Sequence, residues 1–440
     1  MKRLLIFQDK KPKTTNSNLD LIIDDLESRL EYMYRLSIEE IIDFFDQLVN
    51  YWQNDKFWKR HPYLRNLIDF FSRENLVNTL TIALHGNYKA LDEFVDLGDY
   101  KSLLKAHPRG LTVHWLAGNV PALGLFSIFS ALVTKNVCLV KAPSRGYEQL
   151  VDLLNTLNKI KTNKINGAEF TQSIAMVLID RDDKKRQQKI SLAADVRVAW
   201  GGKEAIETIM DLKKQLFCED IILGPKYSYA VIDKQSLNTM GQKLAQRLAI
   251  DISVFDQYAC SSPHTVFIEE KKPGQALKFA KELAKQLEFI RRTLLPKGKI
   301  DPAKAAEIIS LRSEYELRGK VFSSSGTEWT VIYSPTEGLA KGCFSRVVFV
   351  KPIDKLRKLG DYNDRQKQTL GLGFTKENKR KYINSITRKG IDRCPNLGYL
   401  TFYESPWDGM FIFDRLVRWV SLHKDEQDKT IKTSFIPSRK

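Results

Sequence analysis

The chain has 440 residues, of which 43% are apolar and 28% charged, and its formal net charge is +17. At about 150 residues per domain, this length predicts two or three domains with sizeable cores. The apolar run near the N-terminus is too short for a secretory signal, and the window from Val120 to Val133 is too short for a membrane span. We therefore expect a globular protein with neither feature.

The five cysteines form no CxxC pair, and no histidine lies at zinc-ligand spacing: they are Cys138, Cys218, Cys260, Cys343 and Cys394. This pattern predicts neither disulfides nor a metal site and fits a reducing cytoplasm. Lysines and arginines are scattered and form no recognised nucleic-acid motif, so we predict no nucleic-acid partner. The positive charge is interpreted as a solvated surface or as attraction for phosphorylated cofactors.

Apolar residues recur at helical spacing over the first hundred residues, as in LDLIIDDLESRLEYMYRL and IEEIIDFFDQLVNYW. This spacing predicts a helical N-terminal region over residues 1–100. From Leu111, short apolar strands alternate with amphipathic helices, which is typical of βαβ units and a parallel sheet. We predict a cofactor-binding α/β domain over residues 101–250 and a catalytic α/β domain over 251–395. Residues 396–440 are predicted to pack back on the body.

The strands are predicted from short apolar runs, in chain order LTVHWLA, VCLVKAP, SIAMVLI, VRVAW, SYAVID, HTVFIEE, WTVIYS and RVVFVKPI. Helices are predicted from Pro121, from Lys203, over 274–292 and over 302–318. The helix from Pro121 is expected to be buried because its residues are almost entirely apolar.

The turn Leu116-Ala-Gly-Asn-Val-Pro121 connects a predicted strand to a predicted helix. Open α/β sheets bind ligands at the carboxyl ends of their strands, so Asn119 is a candidate site residue. Its side-chain amide can donate a hydrogen bond to an oxyanion. The alternative is that Asn119 only caps the helix.

Two further strand ends carry candidate cofactor contacts. Lys141 follows VCLV, where a cation reaches a ribose or phosphate, although a lone lysine there is often a plain surface residue. Gly201 and Gly202 follow VRVAW and precede a helix, and paired glycines let backbone amides approach a phosphate at a helix N-terminus. A simple tight turn is the alternative for these glycines.

Cys260 lies in Phe255-Asp-Gln-Tyr-Ala-Cys-Ser-Ser-Pro263, a polar stretch that precedes the strand HTVFIEE. Its serine, proline and glutamine neighbours favour an open loop, in which a thiolate can serve as a nucleophile. The alternative, a buried small apolar residue, is our prediction for Cys138 in VCLV.

The four segments occur together and in the order typical of the aldehyde dehydrogenase superfamily, and they most resemble the LuxC family of acyl-CoA reductases. That family is the reductase component of bacterial-luminescence fatty acid reductase. The resemblance runs from about Leu111 to Val350, and Trp407-Asp-Gly and Asp414-Arg-Leu-Val-Arg-Trp419 are also similar. It implies an α/β, aldehyde-dehydrogenase-like fold with a Rossmann-type cofactor domain, an α/β catalytic domain and a helical N-terminal region.

The resemblance implies cofactor contacts by Lys141 with the ribose and by Gly201 and Gly202 with the pyrophosphate. Many NAD-preferring relatives have an acidic residue three positions after that lysine, whereas this chain has Ser144 followed by Arg145. A small neutral residue beside an arginine leaves room and charge for a 2′-phosphate. We therefore predict NADPH as the cofactor.

For catalysis, the resemblance implies that Cys260 is the nucleophile and that Asn119 helps to form the oxyanion hole. Gln257 lies three residues before Cys260, as in the Gln-x-x-Cys motif of the superfamily. Oxidising relatives carry a glutamate before Leu-Gly that activates water, but here that position is Ile222. The glutamate that commonly anchors the nicotinamide ribose is replaced as well, since Gly342-Cys-Phe344 occupies its place.

These residues predict NADPH-dependent reduction of a long-chain fatty acyl-CoA or acyl-protein thioester to the fatty aldehyde, through an acyl group on Cys260 and without a metal. The alternatives are a CoA-acylating aldehyde dehydrogenase that acts on shorter aldehydes, and a non-catalytic acyl-binding scaffold. An acyl-protein synthetase is the expected partner. We also expect a homo-oligomer.

Overall fold

The computed structural model describes residues 2–5, 13–15, 18–54, 61, 64–98, 101–118, 121–271 and 273–424. The helical spacing near the N-terminus produces α1 (Leu19–Ser28), α2 (Leu30–Arg35), α3 (Ile38–Asn54), α4 (Leu64–Phe70) and α5 (Arg73–Ala83). Phe44, Phe45 and Trp52 on α3 are fully buried. These helices confirm the predicted helical region, and the apolar face of α3 packs against the rest of the molecule.

The same region also contains two strands that helical spacing did not predict. They are β1 (Lys2–Leu5) and β2 (Lys13–Thr15), which pair antiparallel with each other. Strand β1 also pairs antiparallel with residues 176–178 at the edge of a larger sheet. This pairing occupies backbone groups that an edge strand would otherwise leave open.

The larger sheet has seven strands and contains the predicted βαβ units. Its further strands are β4 (Leu111–Trp115), β5 (Val137–Lys141), β6 (Ile174–Leu178), β7 (Val196–Trp200) and β8 (Glu219–Leu223), in the order β2-β1-β6-β5-β4-β7-β8. Strands β4 to β8 are parallel. The order reverses between β4 and β7, which is the Rossmann-type switch point where a crevice opens.

Helices cover both faces of this sheet: α6 (Pro121–Val133), α7 (Tyr147–Leu154), α8 (Gly167–Phe170), α9 (Lys184–Ala193) and α10 (Lys203–Met210). On α6, Leu125, Ile128 and Phe129 are fully buried, which confirms the predicted buried helix. Phe129 packs on Phe45 of α3 with ring centroids 4.9 Å apart. The N-terminal helices and the cofactor sheet therefore share one apolar core.

A second sheet has six strands: β9 (Tyr227–Ile232), β10 (Pro263–Glu269), β11 (Lys320–Ser323), β12 (Thr330–Tyr333), β13 (Val347–Ile353) and β14 (Lys367–Gly373). The order is β11-β12-β13-β10-β9-β14, and only the β11–β12 pair is antiparallel. Its helices are α11 (Lys234–Ser253), α12 (Gln275–Thr293), α13 (Pro302–Glu316) and α14 (Lys376–Thr387).

The C-terminal residues return to the first half of the chain. After α15 (Ile412–Arg415), strand β15 (Val417–His423) pairs antiparallel with β3 (Ser102–Pro108). Trp407 and Phe413 are buried in the core of the seven-stranded sheet. Across the described ranges, no helix has both the length and the apolarity that crossing a bilayer requires.

Candidate active site

A cleft of about 800 Å³ lies at the carboxyl ends of β4, β5, β6 and β7. Three of the predicted cofactor residues, Lys141, Ser144 and Gly202, line it. Gly201 and Arg145 are their chain neighbours but are not among the described residues that line the cleft. The structure therefore brings together part of the predicted set, around the switch point where such sheets bind ligands.

Lys141 is half-buried at the end of β5, and this burial lowers the pKa of its ammonium group. The nearby Asp180 carboxylate acts in the opposite direction, while Arg181 adds to the lowering. Asp180 and Arg181 follow β6 and also line the cleft. The strand-end rule that selected Lys141 applies equally to these two residues, which the sequence prediction missed.

One observation in the cleft fits a polar ligand, and another explains a glycine beside it. Trp115 lines the cleft, and its indole N–H is buried with no hydrogen-bond partner among the described residues. A buried donor of this kind normally has an acceptor, so a bound polar group fits there. A Cβ at Gly118 would lie 2.7 Å from the Arg145 carbonyl oxygen, so only glycine lets these two strand-end loops approach each other. Asn119, the predicted oxyanion donor, lies outside the described residues.

Cys260 lies in the loop before β10, and contacts from two neighbouring strands hold it. The Ser228 hydroxyl on β9 donates a 2.6 Å hydrogen bond to the Cys260 carbonyl oxygen. The Gln368 amide on β14 donates from Nε2 to the Cys260 sulfur, at 3.2 Å. The same nitrogen donates to the Asp408 carboxylate. The sulfur is thus fixed by a side-chain donor that no local sequence pattern predicted.

Gln257 fastens the same loop to β13. Its Nε2 donates to the carbonyl oxygens of Pro263 and Val347 at 2.8 and 2.9 Å, and its Oε1 accepts from the Val347 N–H at 2.8 Å. The residue is fully buried. The glutamine of the Gln-x-x-Cys motif therefore acts as a structural clamp between the Cys260 loop and β13, because it hydrogen-bonds backbone groups that would otherwise be unpaired.

Two left-handed segments face each other across this clamp. Residues 255–257 have φ of 54°, 50° and 67°, and residues 344–346 have φ of 59°, 57° and 62°. Non-glycine residues in this region are strained and persist only where the surroundings fix them. The Arg346 guanidinium pairs with Asp256 at 2.6 Å, and the ring of Phe344 stacks on Tyr258 with centroids 5.6 Å apart.

The Gly342-Cys-Phe344 segment offers no carboxylate for a nicotinamide ribose. A Cβ at Gly342 would lie 3.2 Å from the ring of His264, so that ring occupies the space a side chain would need. His264 is buried, and this burial lowers its pKa to about 4. The imidazole is therefore neutral at physiological pH.

Burial raises the pKa of the half-buried Cys260 to about 12, and the negative charge of Asp408 adds to the rise, whereas the Gln368 hydrogen bond lowers it. The sulfur therefore rests as a thiol. Cys138, Cys218 and Cys343 are buried, which confirms the packing role predicted for Cys138. Cys394 is half-buried, like Cys260.

Ile222 lies on β8 opposite Ala199 of β7 and is half-buried. It supplies no base, but the structure places the Asp408 carboxylate beside the Cys260–Gln368 pair. Asp408 follows Cys260 by 148 residues in the chain, so no spacing rule links the two. Within the described ranges, no group of three or more His, Cys, Asp or Glu side chains is arranged to hold a metal ion.

Comparison with known proteins identifies both the family and the fold of the chain. The sequence model of the family described as acyl-CoA reductase (LuxC) matches residues 33–419. The long-chain acyl-protein thioester reductase of Aliivibrio fischeri is 28% identical over 447 residues, covering 94% of this chain and 89% of that protein. The enzyme of the same name from Vibrio harveyi is 26% identical, covering 94% and 88%.

Among solved structures, aldehyde dehydrogenase 21 of Physcomitrella patens superposes with a TM-score of 0.66 and 14% identity, covering 93% of this chain and 91% of that chain. The NADP-dependent glyceraldehyde-3-phosphate dehydrogenase of Bacillus halodurans C-125 gives 0.64 and 16%, covering 91% and 90%. These likenesses establish the aldehyde dehydrogenase fold, and the match over residues 33–419 shows that the chain belongs to the LuxC family of acyl-CoA reductases.

Proposed function

We propose that this chain reduces a long-chain fatty acyl group, bound as a CoA or protein thioester, to the aldehyde, with NADPH and through an acyl thioester on Cys260. The observation that carries the proposal is the sulfur of Cys260, held at 3.2 Å by a side-chain N–H donor. Its loop packs on the same apolar core as Trp115 and Trp200, which line the cleft.

The cleft suits a phosphorylated dinucleotide in size and charge. Its volume of about 800 Å³ is within the range of cofactor sites, and it is lined by three cations and two carboxylates: Lys141, Arg181, Lys203, Asp180 and Glu204. Ser144 lines the cleft without adding a carboxylate, which favours a 2′-phosphate over a free hydroxyl. Bound NADPH would supply the hydride that reduces the acyl carbonyl.

The protein residues have distinct tasks in the acylation. The Cys260 sulfur attacks the thioester carbonyl, and the carrier thiol leaves. We propose that the Cys260 backbone N–H and the Asn119 side chain donate to the oxyanion. After reduction, the thiohemiacetal collapses, its C–S bond breaks, and aldehyde and the Cys260 thiol are released.

An aromatic cluster of Phe126, Tyr403 and Trp407 is buried in the apolar core near Cys260. Tyr403 stacks on Phe126 with ring centroids 4.5 Å apart and contacts Trp407 at 5.3 Å. Burial raises the pKa of the Tyr403 hydroxyl, and the nearby Cys260 adds to the rise. The two relatives are named for long-chain acyl-protein substrates, which supports a protein-bound donor. We extend the proposal to an acyl-protein synthetase partner and a homo-oligomer.

Intact-protein mass spectrometry with a panel of acyl-CoA chain lengths tests the proposal. Wild-type protein should gain one acyl mass without NADPH, and NADPH should discharge it as aldehyde. Cys260→Ala should lose both the adduct and the aldehyde, whereas Cys394→Ser, the matched change at the other half-buried cysteine, should retain them. An undiminished adduct on Cys260→Ala would overturn the assignment.

Rates in both directions separate the reductase from a CoA-acylating aldehyde dehydrogenase. The reductase should form aldehyde from long-chain acyl-CoA faster than it acylates CoA from short aldehydes. A protein that binds acyl-CoA without forming an adduct or an aldehyde would be the acyl-binding scaffold.

A further inference from the structure

One amide nitrogen joins Cys260 to Asp408. Gln368 Nε2 carries two hydrogens and donates one to the Cys260 sulfur and the other to Asp408 Oδ1. Both acceptors lie within hydrogen-bond distance of the same atom, so the sulfur and the carboxylate oxygen are separated by at most about 6 Å. A small side-chain rotation or one water molecule spans that distance.

The backbone fixes where the Asp408 carboxylate points. Asp408 has φ 49° and Gly409 φ 74°, in a turn closed by two 2.9 Å hydrogen bonds between Trp407 and Met410. Trp407 is buried, and the Arg393 guanidinium lies 4.4 Å from its ring centroid. Aspartate is one of the few non-glycine residues that commonly adopt this conformation, and the two hydrogen bonds hold the turn in place.

Several charged groups surround Asp408. Lys226 pairs with Asp392 at 2.5 Å, and Arg393 pairs with Glu404 at 3.1 Å. Burial raises the pKa of Asp408, and Asp392 adds to the rise, while Gln368, Lys226 and Arg393 lower it. A carboxylate whose pKa is raised accepts a proton more readily than an exposed one.

We propose that Asp408 accepts the proton of Cys260 when the sulfur attacks the acyl donor, and that Gln368 is the positioning residue that holds the two side chains together. The proposal rests on the acylation of Cys260 in the proposed function. It supplies an acceptor for the thiol proton, since a thiol that rests protonated needs a base close by.

The step balances without an added reagent. The S–H bond of Cys260 breaks, its proton passes to the Asp408 carboxylate, and the sulfur forms a bond to the thioester carbonyl carbon. When the tetrahedral intermediate collapses, the bond from carbon to the carrier sulfur breaks, and Asp408 returns the proton to that sulfur. Nothing is oxidised or reduced, because the hydride enters only in the later step.

The test uses Asp408→Asn, because asparagine keeps an oxygen to accept from Gln368 but loses the charge and the proton affinity. Two rates are measured on the full chain: acylation by a long-chain acyl-CoA, followed by intact mass, and alkylation by iodoacetamide. Acylation should fall about 10²-fold or more. Alkylation should not fall, because removing a nearby negative charge favours the thiolate.

The matched control is Glu404→Gln, which removes a carboxylate that contacts Arg393 but not Gln368 and should leave both rates near wild type. Gln368→Ala should slow both acylation and alkylation, because the thiolate loses its donor. Equal losses of both rates in Asp408→Asn would indicate a structural role and overturn the proposal, as would unchanged acylation. A wild type that is never acylated would instead overturn the proposed function.

Discussion

The cleft and the Cys260 loop differ in where their residues come from. The cleft is lined by residues between positions 115 and 209, all at strand ends or in the elements that follow them. The contacts of the Cys260 loop come from Ser228, Val347 and Gln368, which lie on three different strands, and Gln368 in turn contacts Asp408. One site is assembled by local connections and the other by long-range contacts.

The two regions also differ in their electrostatics. The cleft exposes Ser144, Asp180 and Arg181 to solvent, where charges are screened. The Cys260 thiol is shielded, and Asp408, Arg393 and Gln368 all change its pKa. We therefore expect substitutions at the cleft to change selectivity, and substitutions around Cys260 to change the rate of chemistry.

The largest expected effect is the pH dependence of Cys260. Because burial and Asp408 raise its pKa to about 12, only the small thiolate fraction reacts near neutral pH. Alkylation of the ligand-free protein by iodoacetamide should rise about 10-fold per pH unit, or roughly 1000-fold from pH 7 to pH 10. Stopped-time mass spectrometry measures this rise, and a plateau below pH 8 would show an open, activated thiol instead.

Asn119→Ala tests the proposed stabilisation of the oxyanion. Loss of one oxyanion donor typically lowers the rate by about 10²–10³-fold. The loss should appear in kcat, with little change in NADPH affinity, as measured by steady-state kinetics and by fluorescence titration. An unchanged kcat together with a lower melting temperature would assign Asn119 to the helix cap.

Part of the cleft could be located from the sequence because the rule that places residues at strand ends is local. A strand followed by a helix places the intervening residues at the sheet edge, and this rule selected Lys141 and Gly202, whereas Ser144 was implicated by the resemblance to the family. Strand β14, which carries Gln368, was not predicted, and Trp407-Asp-Gly was noted only as similar to the family, with no role for Asp408, since neither segment has a distinctive spacing. Gln257 was noted only as part of the Gln-x-x-Cys motif. Its structural role could not be predicted, because its partner Val347 is 90 residues away.

Gln257→Glu should weaken the clamp that holds the Cys260 loop. The glutamate keeps an acceptor for the Val347 N–H but leaves the Pro263 and Val347 carbonyl oxygens without donors. Buried groups left unpaired cost about 1–3 kcal/mol each, so the free energy of unfolding should fall by about 3 kcal/mol. Chemical denaturation measures this loss. Gln366→Glu, the same change at an exposed glutamine, should change stability little.

Ser144→Glu should change cofactor preference and little else. A carboxylate in the cleft would repel a 2′-phosphate and accept from a free ribose hydroxyl. The ratio of kcat/KM for NADPH over NADH should fall by about 10- to 100-fold, with Ser144→Gln as the uncharged control. A wild type that uses NADH at least as well as NADPH would contradict the cofactor proposal.

The smallest expected effect concerns the fate of the acyl group. With Ile222 in place of a base, the acyl-enzyme should persist without NADPH, since general-base assistance is worth roughly 10²–10⁴-fold. Ile222→Glu introduces a carboxylate at a half-buried position of β8. Within the described part of the chain, no neighbouring hydrogen bonds are arranged to orient it as a general base, so hydrolysis of the adduct should rise only about 10-fold. Ile222→Gln is the control of equal shape, and time courses of adduct mass measure both.

If the wild-type adduct hydrolyses faster than NADPH discharges it, Asp408 is the carboxylate that activates the water, because Gln368 already holds it beside the sulfur. Asp408→Asn would then prolong the adduct. Water would in that case reach the acyl group, and the Cys260 site would no longer differ from the cleft in its exclusion of solvent.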